Sequence, residues 1–175
     1  ILVTLHRPAL VDDPEQLAAV AEVLAGFAEQ LPVVFPLHPR TRPRLQAAAP
    51  GALARLRVVE PLEYLDFIAL QASARLVVTD SGGVQEETSA LGIPCLTYRD
   101  NTERAITCEL GTNRLVGRNP AELARAGAEE LARTPLQAAR PIPLWDGRAG
   151  ERAAKAILRF VGDRRRGTTA TAAAA

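Results

Sequence analysis

The residues best suited to chemistry are concentrated in one run, Thr79–Glu87, with the sequence TDSGGVQEE. The run ends a predicted strand and begins a predicted helix, which is where ligands bind in an open α/β sheet. Two adjacent glycines let the backbone approach a ligand closely, and the first turn of a helix presents unpaired N–H groups. We therefore predict that Ser81, Gly82 and Gly83 bind a diphosphate. The alternative is an ordinary helix cap, in which these residues only shape a turn.

Glu87 lies one helical turn after the glycines and on the same face of the predicted helix. A carboxylate at that position can accept hydrogen bonds from both hydroxyls of a ribose, as acidic residues do in dinucleotide-binding folds. The alternative is a solvated acidic residue that the helix dipole favours. Of the two neighbouring glutamates, Glu86 is the one expected to be solvated.

A second polar run, Arg99–Arg104 (RDNTER), follows the next predicted strand at the same edge of the sheet. The planar guanidinium of Arg104 is suited to neutralising a diphosphate. Glu103 either holds a sugar hydroxyl or pairs with Arg99 or Arg104. The sequence leaves both interpretations open.

The chain has two histidines, and each follows a predicted strand at this edge. His6, followed by Arg7, comes after the first strand, and His38 comes after the second. Edge loops concentrate catalytic residues, but a single histidine is commonly structural, so both roles stay open for each.

Short apolar strands alternate with helical segments, which predicts a Rossmann-like α/β fold with a doubly wound parallel sheet. The predicted strands are Ile1–Leu5, Pro32–Leu37, Leu56–Val59, Arg75–Thr79, Pro94–Tyr98 and Arg114–Val116. The predicted helices are Pro14–Gln30, Arg42–Ala48, Glu63–Ala72, Gly83–Leu91, Pro120–Ala132 and Glu151–Val161. In the third of these helices, Leu65, Ile68 and Ala69 are predicted to face inward. Residues 1–162 are predicted to form the domain, and residues 163–175 a disordered tail.

Composition argues against several classes of function. The 21 basic and 20 acidic residues intermix and only 4% of residues are aromatic, so no nucleic-acid partner is expected. No apolar run could span a bilayer and no signal peptide opens the chain, so no membrane partner is expected. Cys95 and Cys108 form neither a disulfide framework nor a metal site, which predicts free thiols, a cytoplasmic location and no metal. The chain lacks methionine and opens in a predicted strand, so it is expected to be part of a longer protein.

The ordered series of motifs resembles the C-terminal domain of the non-hydrolysing UDP-N-acetylglucosamine 2-epimerases. The resemblance covers roughly residues 1–160, and its most specific parts lie within Thr79–Glu87 and Arg99–Arg104. The other motifs that carry it are Thr4–Arg7, Pro36–Pro39, Glu63–Phe67, Leu91–Pro94, Gly111–Thr112 and Leu115–Gly117.

The resemblance implies one half of a glycosyltransferase-B type architecture, with the active site between two Rossmann-like domains. It implies interconversion of UDP-N-acetylglucosamine and UDP-N-acetylmannosamine, by elimination and re-addition of UDP, without a cofactor. The residues assigned to UDP on this basis are Ser81, Gly82, Gly83, Glu87, Arg104 and Phe67, the last against the uracil. His6 is placed near the diphosphate and the reacting centre, and Arg7, His38 and Glu103 on the rim of the site, as sugar-binding or regulatory residues.

The resemblance also implies an N-terminal domain, absent from this chain, that holds the main catalytic carboxylates, and a homodimer in the full-length protein. Catalysis by this chain alone is therefore not expected. Four apolar residues, Ala9, Leu10, Ala105 and Ile106, stand where the family usually has polar residues or proline. Two alternatives stay open: a sugar transferase of the same architecture, and a non-catalytic UDP-binding module.

Overall fold

The computed structural model describes residues 1–134 and 141–172, with the backbone alone for residues 163–172. The chain divides into two compact units, Ile1–Arg140 and Pro141–Ala175. The first unit therefore ends earlier than the domain boundary at residue 162 that the sequence analysis proposes.

The first unit is built on a parallel sheet of six strands among the described residues. They are β1 (Leu2–Thr4), β2 (Val34–Pro36), β3 (Arg57–Val59), β4 (Val77–Thr79), β5 (Cys95–Thr97) and β6 (Asn113–Leu115). The strand order is β3-β2-β1-β4-β5-β6, so the order reverses between β1 and β4. This is the Rossmann order, and it confirms the predicted doubly wound α/β fold.

Helices lie between successive strands along the chain, as parallel pairing requires, and after the last strand. They are α1 (Pro8–Val11), α2 (Pro14–Phe27), α3 (Arg42–Ala48), α4 (Pro50–Leu53), α5 (Tyr64–Ser73), α6 (Gly82–Leu91), α7 (Ala105–Glu109) and α8 (Pro120–Ala132). The short helices α1, α4 and α7 are absent from the sequence prediction.

Local sequence signals fix the ends of the longer helices. The Asp13 carboxylate accepts hydrogen bonds from the backbone N–H groups of Glu15 and Gln16 at 3.1 Å, and Pro14 takes the first helical position of α2. Gly92 ends α6 with φ of 75°, a conformation that residues with a Cβ rarely adopt. Both ends lie where the sequence predicts them.

The hydrophobic core has a large and a small part. The large part packs α2 against the sheet, and Leu24 and Leu76 are fully buried there. Helix α8 packs closely on α2 because Gly127 leaves room for the Phe27 ring, which a Cβ at residue 127 would strike. The small part lies between α5, α6 and the other face of β4. Since β4 is buried on both faces, its apolar run is continuous rather than alternating.

Helix α5 buries a different face from the predicted one. Leu65 is 77% exposed and Ala69 is also exposed, so their predicted inward orientation is wrong. The buried stripe instead includes Phe67, Leu70 and Gln71. Because apolar residues occur on both faces of this helix, periodicity alone does not fix its rotation.

The second unit contains helix α9 (Ala149–Ala172). The helix continues ten residues into the segment predicted to be a disordered tail, and residues 173–175 lie outside the described residues. The difference has a physical reason: residues 163–172 include three arginines and two alanines, which favour helix, and the single Gly167 costs only about 1 kcal/mol. Within the described residues, no helix is long and apolar enough to cross a membrane.

Candidate active site at the carboxyl edge of the sheet

The loops that follow β1, β4 and β5 leave the sheet at the same edge, because all strands are parallel and paired in register. Thr4, Thr79 and Thr97 are the last residues of the three strands and are direct partners in the ladder. The loops after these strands therefore begin side by side, on either side of the reversal in strand order between β1 and β4.

Asp80 joins the loop after β4 to the loop after β1. Its side chain is buried, and Oδ2 accepts hydrogen bonds from the backbone N–H groups of His6 (2.9 Å) and Arg7 (2.8 Å). The Arg7 Nε donates in return to the Asp80 carbonyl at 2.8 Å. These bonds hold His6 and Arg7 at the start of the site, a role for Asp80 that the sequence analysis does not assign.

The second carboxylate oxygen of Asp80, Oδ1, lies 3.1 Å from Nδ1 of His6, an ion-pair contact without regular hydrogen-bond geometry. The Asp80 carboxylate raises the pKa of His6 above its ordinary value of 6.5, partly against the effect of burial. The contact therefore favours the imidazolium form in the folded protein. Its contribution to stability is present at acidic pH and is lost as the pH rises through the raised pKa.

We expect Asp80→Asn to lower the pKa of His6 and to reduce the loss of stability as the pH rises above the ordinary imidazole pKa of 6.5, because the anionic partner is removed. Nuclear magnetic resonance titration of the imidazole protons measures this directly, since the chain has only two histidines. In the variant His38→Gln, the one remaining imidazole signal belongs to His6. The same His6 pKa in the wild type and in Asp80→Asn would contradict the assigned ion pair.

Ser81, Gly82 and Gly83 lie at the N-terminus of α6, as predicted. Ser81 is the N-cap residue by position, but its hydroxyl makes no capping hydrogen bond. Its backbone N–H instead donates to Oγ1 of Thr79 at 3.0 Å. The side chain of Ser81 is therefore not used by the helix, unlike in the ordinary helix cap that is the alternative interpretation.

A buried polar network connects this turn to the segment after β5. Gln85 is fully buried, and its Nε2 donates to the Ser81 carbonyl at 3.1 Å. The Thr102 hydroxyl donates to Oε1 of Gln85 at 2.6 Å and accepts from the backbone N–H of Arg104 at 2.9 Å. Asn113 donates to the same Oε1 at 3.0 Å. The backbone positions of Ser81 and Arg104 are therefore set by one set of hydrogen bonds.

The arginines near Gly82 are each paired with a carboxylate. Arg99 Nη2 lies 2.8 Å from Glu103 Oε2, and this contact lowers the pKa of Glu103 to about 2. The other oxygen of Glu103 lies 4.0 Å from Arg7 and over Gly82, where a Cβ would overlap it. Of the two roles considered for Glu103, the structure shows the pairing with Arg99.

Arg104 pairs with Glu86, with 3.1 Å between Nε and Oε1. Glu86 was expected to be solvated, so this contact is a difference from the prediction. It arises because the α6 turn and the segment before α7 are brought together by the Gln85 network.

Glu87 faces α5 and is partly buried. The Gln71 side chain donates from Nε2 to Glu87 Oε2 at 2.6 Å. Phe67 lies one turn earlier on α5, partly buried against the small part of the core. Glu87 is therefore held in place by a neighbouring helix, and is not the freely solvated residue of the alternative interpretation.

His38 follows the end of β2 by two residues and is exposed. Strand β2 is the neighbour of β1 in the sheet. Its Nδ1 accepts a hydrogen bond from the backbone N–H of Arg40 at 3.2 Å, and no described contact joins it to the residues around Asp80.

The four apolar residues that stand where the family usually has polar residues or proline differ in their burial. Leu10 is buried in the large part of the core, whereas Ala9, Ala105 and Ile106 are exposed.

A cavity of about 210 Å³ opens beside these contacts, and Asp80 and three arginines, Arg7, Arg99 and Arg118, are among the residues that line it. Within residues 1–134 and 141–172, no group of three or more His, Cys, Asp or Glu side chains is placed to hold a metal ion. The edge is therefore a polar, arginine-rich surface suited to an anionic ligand.

The reversed strand order and the polar loops at the carboxyl edge define a doubly wound α/β protein with its candidate site at the switch point. The family profile described as UDP-N-acetylglucosamine 2-epimerase matches residues 1–158, and the chain belongs to that family.

Individual relatives agree with this assignment. The UDP-N-acetylglucosamine 2-epimerase of Methanocaldococcus jannaschii is 42% identical over 131 residues, which are 71% of this chain and 36% of that protein. The UDP-2,3-diacetamido-2,3-dideoxy-D-glucuronate 2-epimerase of Pseudomonas aeruginosa is 44% identical over 139 residues, 78% of this chain and 37% of that protein. The crystal structure of the M. jannaschii enzyme in complex with UDP-GlcNAc and UDP has a TM-score of 0.74 and 37% identity, and the match covers 91% of this chain and 44% of that one. The chain thus spans between a third and a half of the relatives it matches.

Proposed function

We propose that this chain is the nucleotide-binding half of a non-hydrolysing UDP-N-acetylglucosamine 2-epimerase. The observation that carries the proposal is the group at the carboxyl ends of β4 and β5. Ser81, Gly82 and Gly83 open α6, Glu87 follows one turn later, and Arg104 is tied to the same turn through Gln85. Together with membership of the family, this arrangement supports binding of a uridine diphosphate.

In the proposed complex the diphosphate lies at the N-terminus of α6, where the N–H groups of Gly82 and Gly83 and the Ser81 hydroxyl can donate to it. Arg104 adds positive charge, Glu87 accepts the ribose hydroxyls, and Phe67 lies against the uracil. Both Arg104 and Glu103 are engaged in ion pairs in the structure, so binding exchanges some of these pairs for contacts with the diphosphate.

The proposed reaction is the interconversion of UDP-N-acetylglucosamine and UDP-N-acetylmannosamine. A proton leaves carbon 2 as UDP departs from carbon 1, and both are then added back, the proton from the other face. His6 is proposed to favour the departing negative charge, and its contact with Asp80, which promotes the imidazolium form, supports this role. The carboxylates that move the proton are proposed to belong to the other half, so this chain alone is expected to be inactive.

Two further features belong to the proposal. We propose that the full-length protein is a homodimer, on the family resemblance alone. We also propose a cytoplasmic location, which the unpaired Cys95 and Cys108 support. Burial of Cys95 in β5 raises its pKa to about 12, so that thiol stays protonated at neutral pH.

Titration of UDP into this chain by calorimetry tests the nucleotide site. We expect the wild type to bind and Glu87→Ala to bind about 10-fold to 100-fold more weakly, because charge-assisted hydrogen bonds are lost. Glu22→Ala is the matched control, since Glu22 is exposed on α2, away from the site. Equal affinities of the wild type and Glu87→Ala for UDP would show that Glu87 does not contribute to the site. Failure of a folded wild type to bind UDP would refute the proposal that this half binds the nucleotide by itself.

The reaction is tested after the missing half has been restored. Interconversion of the two UDP-sugars without an acceptor or added metal supports the epimerase. Release of UDP only when an acceptor is supplied would favour the sugar transferase. Tight binding of UDP without any turnover would favour the non-catalytic module.

A second sugar substrate has a specific observation in its favour. The relative from P. aeruginosa, at 44% identity, is an epimerase of a UDP-diacetamido-glucuronate. Both substrates share the UDP that this half is proposed to bind. Supplying each UDP-sugar to the restored protein separates the two by their relative kcat/KM.

A further inference from the structure

Gln71 is a buried polar residue in a stripe of apolar ones. It lies on α5 with Phe67 one turn before it, and it is fully buried. Its neighbours on the buried face, Phe67 and Leu70, pack against Leu2, Val77 and Val84. The surroundings are those of a hydrophobic core, where a glutamine costs free energy unless both ends of its amide are paired.

Only one end of this amide is paired. Nε2 donates to Glu87 at 2.6 Å, whereas Oε1 is buried and accepts no hydrogen bond from the described residues. A buried acceptor left without a donor is destabilising, and an apolar side chain of similar volume avoids that loss. Stability of the core therefore does not account for a glutamine at this position.

The hydrogen bond acts on the carboxylate that the proposed function assigns to the ribose. It engages Oε2 of Glu87, and within the described residues it is the one hydrogen bond that this carboxylate makes. An ionised carboxylate has about four acceptor positions, so most of its capacity remains for a ligand. A glutamate side chain has high rotamer entropy, and fixing it before the ligand arrives removes that loss from binding.

We propose that Gln71 is a positioning residue, which orients the Glu87 carboxylate so that it accepts the two hydroxyls of a ribose. The inference rests on the proposed function, since it takes Glu87 as the ribose acceptor. Gln71 acts through Glu87 and does not itself touch the nucleotide. It makes the site selective for ribose over 2′-deoxyribose.

The test compares UDP with 2′-deoxyuridine diphosphate in this chain and in Gln71→Met. Methionine matches glutamine in volume and shape but cannot donate to Glu87. We expect the Kd for UDP to rise about 10-fold, and the Kd for the deoxy ligand to change by less than about 3-fold. The deoxy ligand lacks one of the two hydroxyls from which the oriented carboxylate accepts hydrogen bonds, so its binding depends less on that orientation. The preference of the protein for UDP therefore falls.

A double substitution tests the route of the effect. If Gln71 acts through Glu87, then Gln71→Met has no further effect on UDP binding in a Glu87→Ala background. Gln46→Met serves as a surface control, because Gln46 is exposed on α3. The Tm of Gln71→Met is expected to equal or exceed that of the wild type, since the unpaired Oε1 is removed.

The outcomes separate the two ideas. Equal weakening of both ligands by Gln71→Met, or an unchanged ratio of their affinities, overturns the role of Gln71 while leaving the UDP site intact. Additive effects of the two substitutions also overturn it. If the folded wild type does not bind UDP, the proposed function itself fails, and this inference fails with it.

Discussion

Asp80→Ala is expected to lower the free energy of unfolding by about 2–4 kcal/mol. The substitution removes the acceptor of two backbone N–H groups, those of His6 and Arg7, and the ion-pair partner of the His6 imidazole. The donors lie in a partly buried turn, so water replaces the carboxylate only in part. Urea unfolding followed by circular dichroism measures the change.

Asp66→Ala is the control for this experiment. Asp66 is exposed in the first turn of α5, and its loss is expected to cost less than about 0.5 kcal/mol. If Asp80→Ala were no more destabilising than Asp66→Ala, the turn after β1 would not depend on Asp80. The connection across the reversal between β1 and β4 would then have to come from the strand pairing itself.

Gly127→Ala is expected to destabilise the protein by about 1–3 kcal/mol, through overpacking. A Cβ at residue 127 strikes the ring of Phe27, a buried residue at the end of α2. Neither partner can move easily, because α2 and α8 are both packed against the sheet. The same unfolding measurement gives the effect.

Gly26→Ala provides a contrast one residue before Phe27. A Cβ at residue 26 meets nothing within 4 Å, so the substitution only increases helix propensity. It is expected to raise the free energy of unfolding by about 0.5–1 kcal/mol. A lower free energy of unfolding for Gly127→Ala and a higher one for Gly26→Ala would support close packing of α8 on α2. If both variants were stabilised, that packing would be refuted.

The sequence predicts the middle of the sheet well because β4 and β5 are buried along their whole length. The apolar run of β4 is continuous. Turn residues separate the strands from helices with clear start signals, such as Asp13 before Pro14. The short helices α1, α4 and α7 have four or five residues, too few for a periodic pattern, and their stability comes from tertiary packing. The rotation of α5 was predicted wrongly for the related reason that Leu65 and Phe67 are both apolar and only packing distinguishes them.

The position of the site at the carboxyl edge also follows from the sequence. The segments that contain the predicted residues each follow a strand, and parallel strands bring the starts of those segments to one edge. Three residues without a predicted role, Asp80, Gln71 and Gln85, hydrogen-bond to the residues of the candidate site. Their roles depend on partners 16 to 74 positions away in the chain, as in the pairing of Asp80 with His6, and a single sequence contains no signal for such pairs.

The place of β4 in the middle of the sheet has a consequence for how a ligand affects the whole unit. Its three residues are completely buried and paired with β1 and β5, and the chain leaves it directly into Asp80, Ser81 and the first turn of α6. Amide hydrogens in such a strand exchange with solvent only when the unit opens globally. Because global opening also removes the site at the end of β4, a ligand bound there is expected to raise the free energy of unfolding by RT ln(1 + L/Kd), where L is the free ligand concentration.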